Sequence, residues 1–103
     1  MYHMVMDATN HAWELVFKRD GRVFTELLPA FTEAAAEFER RGCQRVLDVG
    51  CGNGRHTVAL TQHGFDVTGL DISISGLRET RRWLLEESMD AGLMCAEIGR
   101  AHV

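Results

Sequence analysis

Apolar residues recur along this chain in two rhythms, one helical and one of short unbroken runs. From Ala8 to Arg19, Ala12, Leu15 and Val16 share one side with Arg19, while Trp13 and Phe17 form a second apolar pair four apart. That spacing predicts an amphipathic helix, and Asp20-Gly21 ends it in a turn. Leu28-Pro29 opens a second helix, in which Phe31, Ala34, Ala35 and Phe38 repeat at helical spacing and the phenylalanines are expected in the core. Gly42 closes it after Arg40 and Arg41, whose charges suit the negative end of the helix dipole. The rhythm then changes. Val46-Leu47-Asp48-Val49 is a nearly continuous apolar run of the kind buried on both faces of a parallel sheet, so it is expected mid-sheet. Arg55 to about His63 reads as a helix stopped by Gly64, and Phe65 to Asp71 as a second strand. Ser73 or Ser75 then caps a third periodic helix running to about Glu87. Ile74, Leu77, Leu84 and Leu85 form its apolar side, and Arg78, Glu79, Arg81, Arg82, Glu86 and Glu87 a solvated one with Arg82 and Glu86 as i,i+4 partners. After Asp90-Ala91-Gly92, Leu93 to Ala96 reads as a third strand.

Strand-helix alternation predicts an α/β fold, a doubly wound parallel sheet of Rossmann-like type with helices on both faces. Three strands fall short of the five or six of a typical sheet, so the chain is expected to be a truncated part of such a domain. Between the first strand and its helix stand Gly50, Gly52 and Gly54, in alternate positions. Glycine there lets the backbone turn sharply and lets a ligand approach without β-carbons in the way. The N–H groups of the next helix then face that ligand and favour an anion, a phosphate or a carboxylate. Asp71 ends the second strand, where its two oxygens suit the hydroxyls of a ribose.

VLDVGCGNG followed by VTGLDIS closely resembles the class I S-adenosylmethionine-dependent methyltransferases, and GNGRHTVAL with GFDVTGLDIS resembles their small-molecule branch. The resemblance is strong from about Arg45 to Ser73. It implies that Asp48, Gly50, Gly52 and Gly54, with Cys51 and Asn53 between them, line the methionine end of the cofactor. It further implies that Asp71 holds the ribose, that Ile72 lies against adenine, and that Glu97 stands where an acid meets the adenine amino group. Trp13 and Phe17 become lid residues on the same likeness, although ordinary packing explains them as well. A dinucleotide-binding Rossmann domain is the nearest rival. It wants a third glycine where Arg55 stands, and it has no use for the acid Asp48. A non-catalytic module that binds S-adenosylmethionine is the other alternative. The reaction implied is displacement at the sulfonium methyl by a small-molecule nucleophile. Catalytic residues are expected later in the complete protein, so this chain carries the cofactor-binding half and is expected to be inactive alone.

Composition narrows this only slightly. Among 103 residues, 46% are hydrophobic and 25% charged, and 11 Lys plus Arg against 15 Asp plus Glu give a net charge of −4. That balance offers no footprint for nucleic acid. No apolar run approaches a membrane span and the first residues lack a secretory pattern, so a cytoplasmic location is expected. Cys43, Cys51 and Cys95 match no zinc or redox spacing, and they read as small buried or semi-buried thiols with no metal implied. His56 in the first turn behind the glycine loop reads as a packing or hydrogen-bonding residue, and His63 as a partner of its helix C-terminus. The final residues EIGRAHV match one reading frame of a common sequencing adapter. Residues 1–96 are therefore expected to be the N-terminal part of a single domain, and 97–103 a non-native tail.

Overall fold

The computed structural model describes residues 12–96, and in it the alternation of short apolar runs with periodic segments becomes a parallel sheet with its crossover helices. Helix α1 spans residues 12–20. It is followed by α2 (Phe31–Arg40), β1 (Arg45–Val49), α3 (Arg55–Gln62), β2 (Asp66–Asp71), α4 (Ile74–Glu86) and β3 (Gly92–Cys95). Parallel strands need a long crossover, which α3 and α4 supply. The strand order is β1-β2-β3, with Asp48 opposite Gly69 and Gly69 opposite Leu93. This register leaves the carboxyl ends of β1 and β2 side by side.

Ala35 of α2, Leu60 of α3, and Phe65 and Val67 of the second strand segment form the buried apolar cluster, with Phe31, Phe38 and Val46 packed against it. Phe38 meets Phe65 edge-on at 6.1 Å between ring centroids. The second-helix phenylalanines are thus core residues, as their spacing predicts. Gly42 at φ +72° ends α2, its N–H donating to the Glu39 carbonyl while that of Cys43 donates to Phe38. Arg40 and Arg41 both turn back to pair with Glu37.

Several expectations need correcting. β1, expected mid-sheet in a complete domain, pairs only with β2 among the described residues, and Leu47 is left 58% exposed. A run apolar on both sides stays wet where no described element covers its outer flank. β2, paired on both sides, buries Val67 completely enough to show why. On α1, the buried residue is Phe17, and Leu15 is exposed, so the helix faces inward by Phe17, with Trp13 stacked on it and itself 39% exposed. On α4, Leu77 and Leu84 are buried but Ile74 and Leu85 are exposed. The inward face of that helix is completed by small residues, Gly76 and Thr80, which lie eight and four positions before Leu84.

The solvated charge face is also interrupted. Glu79 is buried, and its carboxylate takes Arg22 at 2.9 Å and Arg82 at 2.6 Å. Glu86 pairs with Arg22 at 2.9 Å and not with Arg82, because Arg22 comes in from the segment after α1 and reaches both acids. Its guanidinium lies 4.4 Å over the Trp83 ring. Finally, Cys43 and Cys95 are exposed, and only Cys51 is buried. Ser73 caps α4 as expected, accepting the Gly76 N–H at 2.9 Å.

Candidate functional site

After Val49 the chain turns through Gly50, Gly52 and Gly54 at φ +77°, +57° and +100°, a region that side chains with a β-carbon enter only under strain. The turn is stitched to β2. The N–H groups of Gly50 and Cys51 both donate to the Leu70 carbonyl, at 2.8 and 2.9 Å. Gly52 N–H donates to Asp71 Oδ2 at 2.7 Å, and Ser73 N–H donates to Asp71 Oδ1 at 2.8 Å. One carboxylate thereby fixes the glycine loop and the entry to α4. A carboxylate offers about four lone-pair sites, so a further pair remains beyond these two bonds. Gly54 is the N-cap of α3 and, having no side chain, makes no capping bond. The first-turn N–H groups and the positive end of the α3 dipole thus face the loop without a side-chain acceptor, as an anion requires.

The third glycine has a second task. A β-carbon on Gly54 would stand 2.8 Å from Thr80, so loop and α4 approach too closely for any other residue. A β-carbon on Gly52 would stand 3.2 Å from the Phe17 ring, which lies over the loop.

The remaining predicted residues divide sharply. Asp48 is half-buried, and its Oδ2 accepts the Thr57 hydroxyl at 2.7 Å, tying β1 to α3. Cys51 is buried, and burial first, then Asp48 and Asp71 nearby, pushes its thiol up to about 12. It stays protonated and inert, a filler as its small size suggests. Asn53 is buried, and its amide is committed to the backbone of Phe24, accepting from the N–H at 2.9 Å and donating to the carbonyl at 2.6 Å. Any contact it makes with a ligand falls to its backbone. Ile72 is half-buried, with the Cys95 thiol 3.4 Å from its carbonyl. Glu97 lies outside the described residues. His56 Nε2 accepts the Leu28 N–H at 3.1 Å, and its ring stacks on Phe31 at 5.5 Å; burial pulls its pKa below 6.5. His63, the C-cap residue of α3, stacks on Phe31 at 5.8 Å.

Four contributors have no counterpart in the sequence reading. Thr80 Oγ lies 3.0 Å from the Gly52 carbonyl and 3.1 Å from that of Gly76, sharing its proton between them. Gly76 is needed because a β-carbon there would stand 2.9 Å from the Gly52 carbonyl. Phe24 joins Trp13 and Phe17 in an aromatic cluster with centroids 5.7 to 6.4 Å apart. Glu14 accepts the Ser73 hydroxyl at 2.8 Å, the Ser75 hydroxyl at 2.6 Å and the Ser75 N–H at 3.1 Å. The Ser75 hydroxyl, more than any other group, holds its carboxyl below the ordinary range. A glycine inside a helix pattern is itself a signal of close packing, and Gly76 was legible on that ground. Glu14, paired across 59 and 61 positions, carries none.

Residues 46–102, more than half of the chain, match the family model described as Methyltransferase domain. The chain belongs to this methyltransferase family. Human glycine N-methyltransferase is 46% identical over 46 residues, 43% of this methyltransferase chain and 16% of that protein. The ubiquinone biosynthesis O-methyltransferase of Idiomarina loihiensis is 36% identical over 55 residues, 53% of this chain and 23% of its own length. The chain therefore spans under a quarter of either relative. Among solved structures, TehB from Haemophilus influenzae superposes with a TM-score of 0.67 at 23% identity, over 88% of this chain and 30% of that one. Magnesium protoporphyrin IX methyltransferase from Synechocystis PCC 6803, solved with bound SAM, gives 0.64 at 20% identity over 84% and 53%. At these identities the likeness is one of fold, the Rossmann-like open parallel sheet with its crossover helices.

Proposed function

We propose that the Gly50–Gly54 loop and Asp71 bind S-adenosylmethionine, and that the complete protein transfers its methyl group to a small-molecule acceptor. One observation carries this reading: the glycine loop and Asp71 form a single hydrogen-bonded frame at the carboxyl ends of adjacent parallel strands. Ligands of open α/β sheets bind in that crevice. The free acceptor positions of Asp71 suit the two hydroxyls of a ribose, and the uncapped start of α3 suits the cofactor's carboxylate. Asp48, Gly50, Cys51, Gly52, Asn53 and Gly54 then border the methionine end, and Ile72 borders adenine.

When bound, the cofactor supplies an activated methyl group on its sulfonium. What these residues add is orientation. None of them is assigned as general base: Cys51 keeps its proton and His56 is bonded to Leu28. The relatives are named for a glycine and a ubiquinone-pathway acceptor, which supports a small-molecule acceptor here. Three free thiols support a cytoplasmic location. Among the described residues, no helix is long and apolar enough to cross a membrane.

Calorimetric titration of the complete protein with S-adenosylmethionine, and separately with NAD, tests the reading. Binding is expected for the sulfonium cofactor alone. Gly52→Val forces a branched residue to φ +57° against Phe17, and affinity is expected to fall about tenfold or more. Normal binding by that variant, or a preference for NAD, would overturn the assignment.

A further inference from the structure

The first half of the glycine loop is stitched to β2, through the Leu70 carbonyl and Asp71. The second half has a different support. Asn53, between Gly52 at φ +57° and Gly54 at φ +100°, is 1% exposed, and its amide pairs in both directions with the Phe24 backbone. Its Oδ1 accepts the Phe24 N–H at 2.9 Å and its Nδ2 donates to the Phe24 carbonyl at 2.6 Å. Phe24 lies in the irregular stretch between α1 and α2, which has no ladder of its own to hold it in place. Arg22, in the same stretch, moors it to α4. Its guanidinium donates to Glu79 at 2.9 Å and to both oxygens of Glu86 at 2.9 and 3.1 Å, and it lies 4.4 Å over the Trp83 ring. Those three residues share one face of α4, and a planar fork bonded and stacked at once is held in one orientation. Further along, Arg55 donates to the Glu26 carbonyl at 3.1 Å and holds the stretch a second time.

We propose that Arg22 is a positioning residue for the cofactor: moored to Glu79 and Glu86, it sets the Phe24 backbone that clamps Asn53, and so fixes the half of the loop that borders the methionine end. This rests on the loop being the S-adenosylmethionine site. Glycine has more backbone freedom to lose than any other residue, and a loop ordered beforehand loses less of it on binding. The effect of Arg22 therefore falls on the amino-acid half of the cofactor. The ribose half depends on Asp71, whose bonds to Gly52 and Ser73 do not pass through the clamp.

The test is calorimetric titration of the complete protein with S-adenosylmethionine and with methylthioadenosine, which keeps the ribose and adenine but lacks the amino-acid half. Asn53→Ala removes both bonds of the clamp and is expected to weaken S-adenosylmethionine about tenfold. Arg22→Met is expected to weaken it about threefold, less because Arg55 still holds Glu26. Methylthioadenosine should bind both variants as it binds the unsubstituted protein. Combining the two substitutions should weaken S-adenosylmethionine no further than Asn53→Ala alone, since residues acting through one chain of contacts are not additive. Glu86→Ala, at a half-exposed acid, frees one arm of the fork and spares the fold if Arg22→Met does not; a weakening of about twofold, again confined to S-adenosylmethionine, is expected. Equal weakening of both ligands, or additive losses in the combined variant, would overturn the positioning role. Unchanged affinity in a folded Arg22→Met protein with a lowered melting temperature would overturn it too, and leave Arg22 as a tether to α4. Binding of neither ligand by the unsubstituted protein would instead sink the cofactor assignment, and this role with it.

Discussion

The two ends of the second strand segment are equally hidden and held by opposite chemistry. At the amino end, Phe65 is 8% exposed and packs with Ala35, Leu60 and Val67 in a cluster with no polar side chain. At the carboxyl end, Asp71 is as deeply placed, yet its oxygens are taken by the N–H groups of Gly52 and Ser73. Apolar burial adds directly to stability, about 25 cal/mol for each Å² removed from water. A satisfied buried carboxylate adds little net stability, and breaking its bonds is what costs. The first end therefore holds the sheet together, and the second end holds a shape. Burial by itself does not say which of these a residue does.

Substitutions at the two ends should separate stability from binding. The largest effect is expected from Phe65→Ala, which empties the apolar end and loses the Phe38 contact. It should lower unfolding free energy by about 3–5 kcal/mol in denaturant titration, with cofactor affinity of the folded fraction unchanged. Gly54→Ala comes next, since it strains φ +100° and presses a β-carbon against Thr80. A loss of about 3 kcal/mol is expected, and adding Thr80→Ala should recover part of it, which a double-mutant cycle would measure.

The smallest effect is a pH dependence at the border between the regions. His56 is kept neutral by burial, so its folded pKa lies below the unfolded value of 6.5. Above that value both states are neutral and His56 contributes no slope. As pH falls below it, the unfolded chain gains a proton that the folded one resists, and stability declines until the folded pKa is passed. Solvent screening at this half-buried site keeps the effect small. His56→Phe, which preserves the stack on Phe31, should flatten the part of the stability profile that lies below about pH 6.5. An unchanged slope would mean another group titrates there. Glu14, whose pKa is lowered, acts in a separate window: its stabilisation is complete above about pH 4.5 and is lost as pH falls through its folded value.

What was legible in the sequence follows the same division. Local signals succeeded: Gly42 and Gly64 ending helices, Ser73 capping α4, and the alternation that places Gly50 to Gly54 beside Asp71. Each depends on backbone preferences over a few residues. Distant pairings were not legible. Arg22 with Glu79, Asn53 with the Phe24 backbone and Glu14 with Ser75 join residues 29 to 61 positions apart, and a charged or amide side chain does not announce its partner. The same gap explains the misassigned faces. Ile74 and Leu85 are as apolar as Leu77, but close packing at Gly76 and Thr80 fixed which side of α4 turned inward. For β1, the apolar run predicts cover on both sides, and Leu47 shows that the described elements supply only part of it.

The central claim is that Asp71 is placed to hold a ribose as well as to fasten the loop. It is tested most directly by titrating S-adenosylmethionine into the complete protein and its Asp71→Ala variant, with thermal unfolding followed in parallel. Two bonds to a charged acceptor, roughly 1.5–3 kcal/mol each, predict that affinity falls at least about tenfold in a variant that still folds. Some loss of melting temperature is expected as well, because Gly52 and Ser73 lose their acceptor. Unchanged affinity in a folded protein, with melting temperature alone reduced, would contradict the account and leave Asp71 as a structural stitch between the loop and α4.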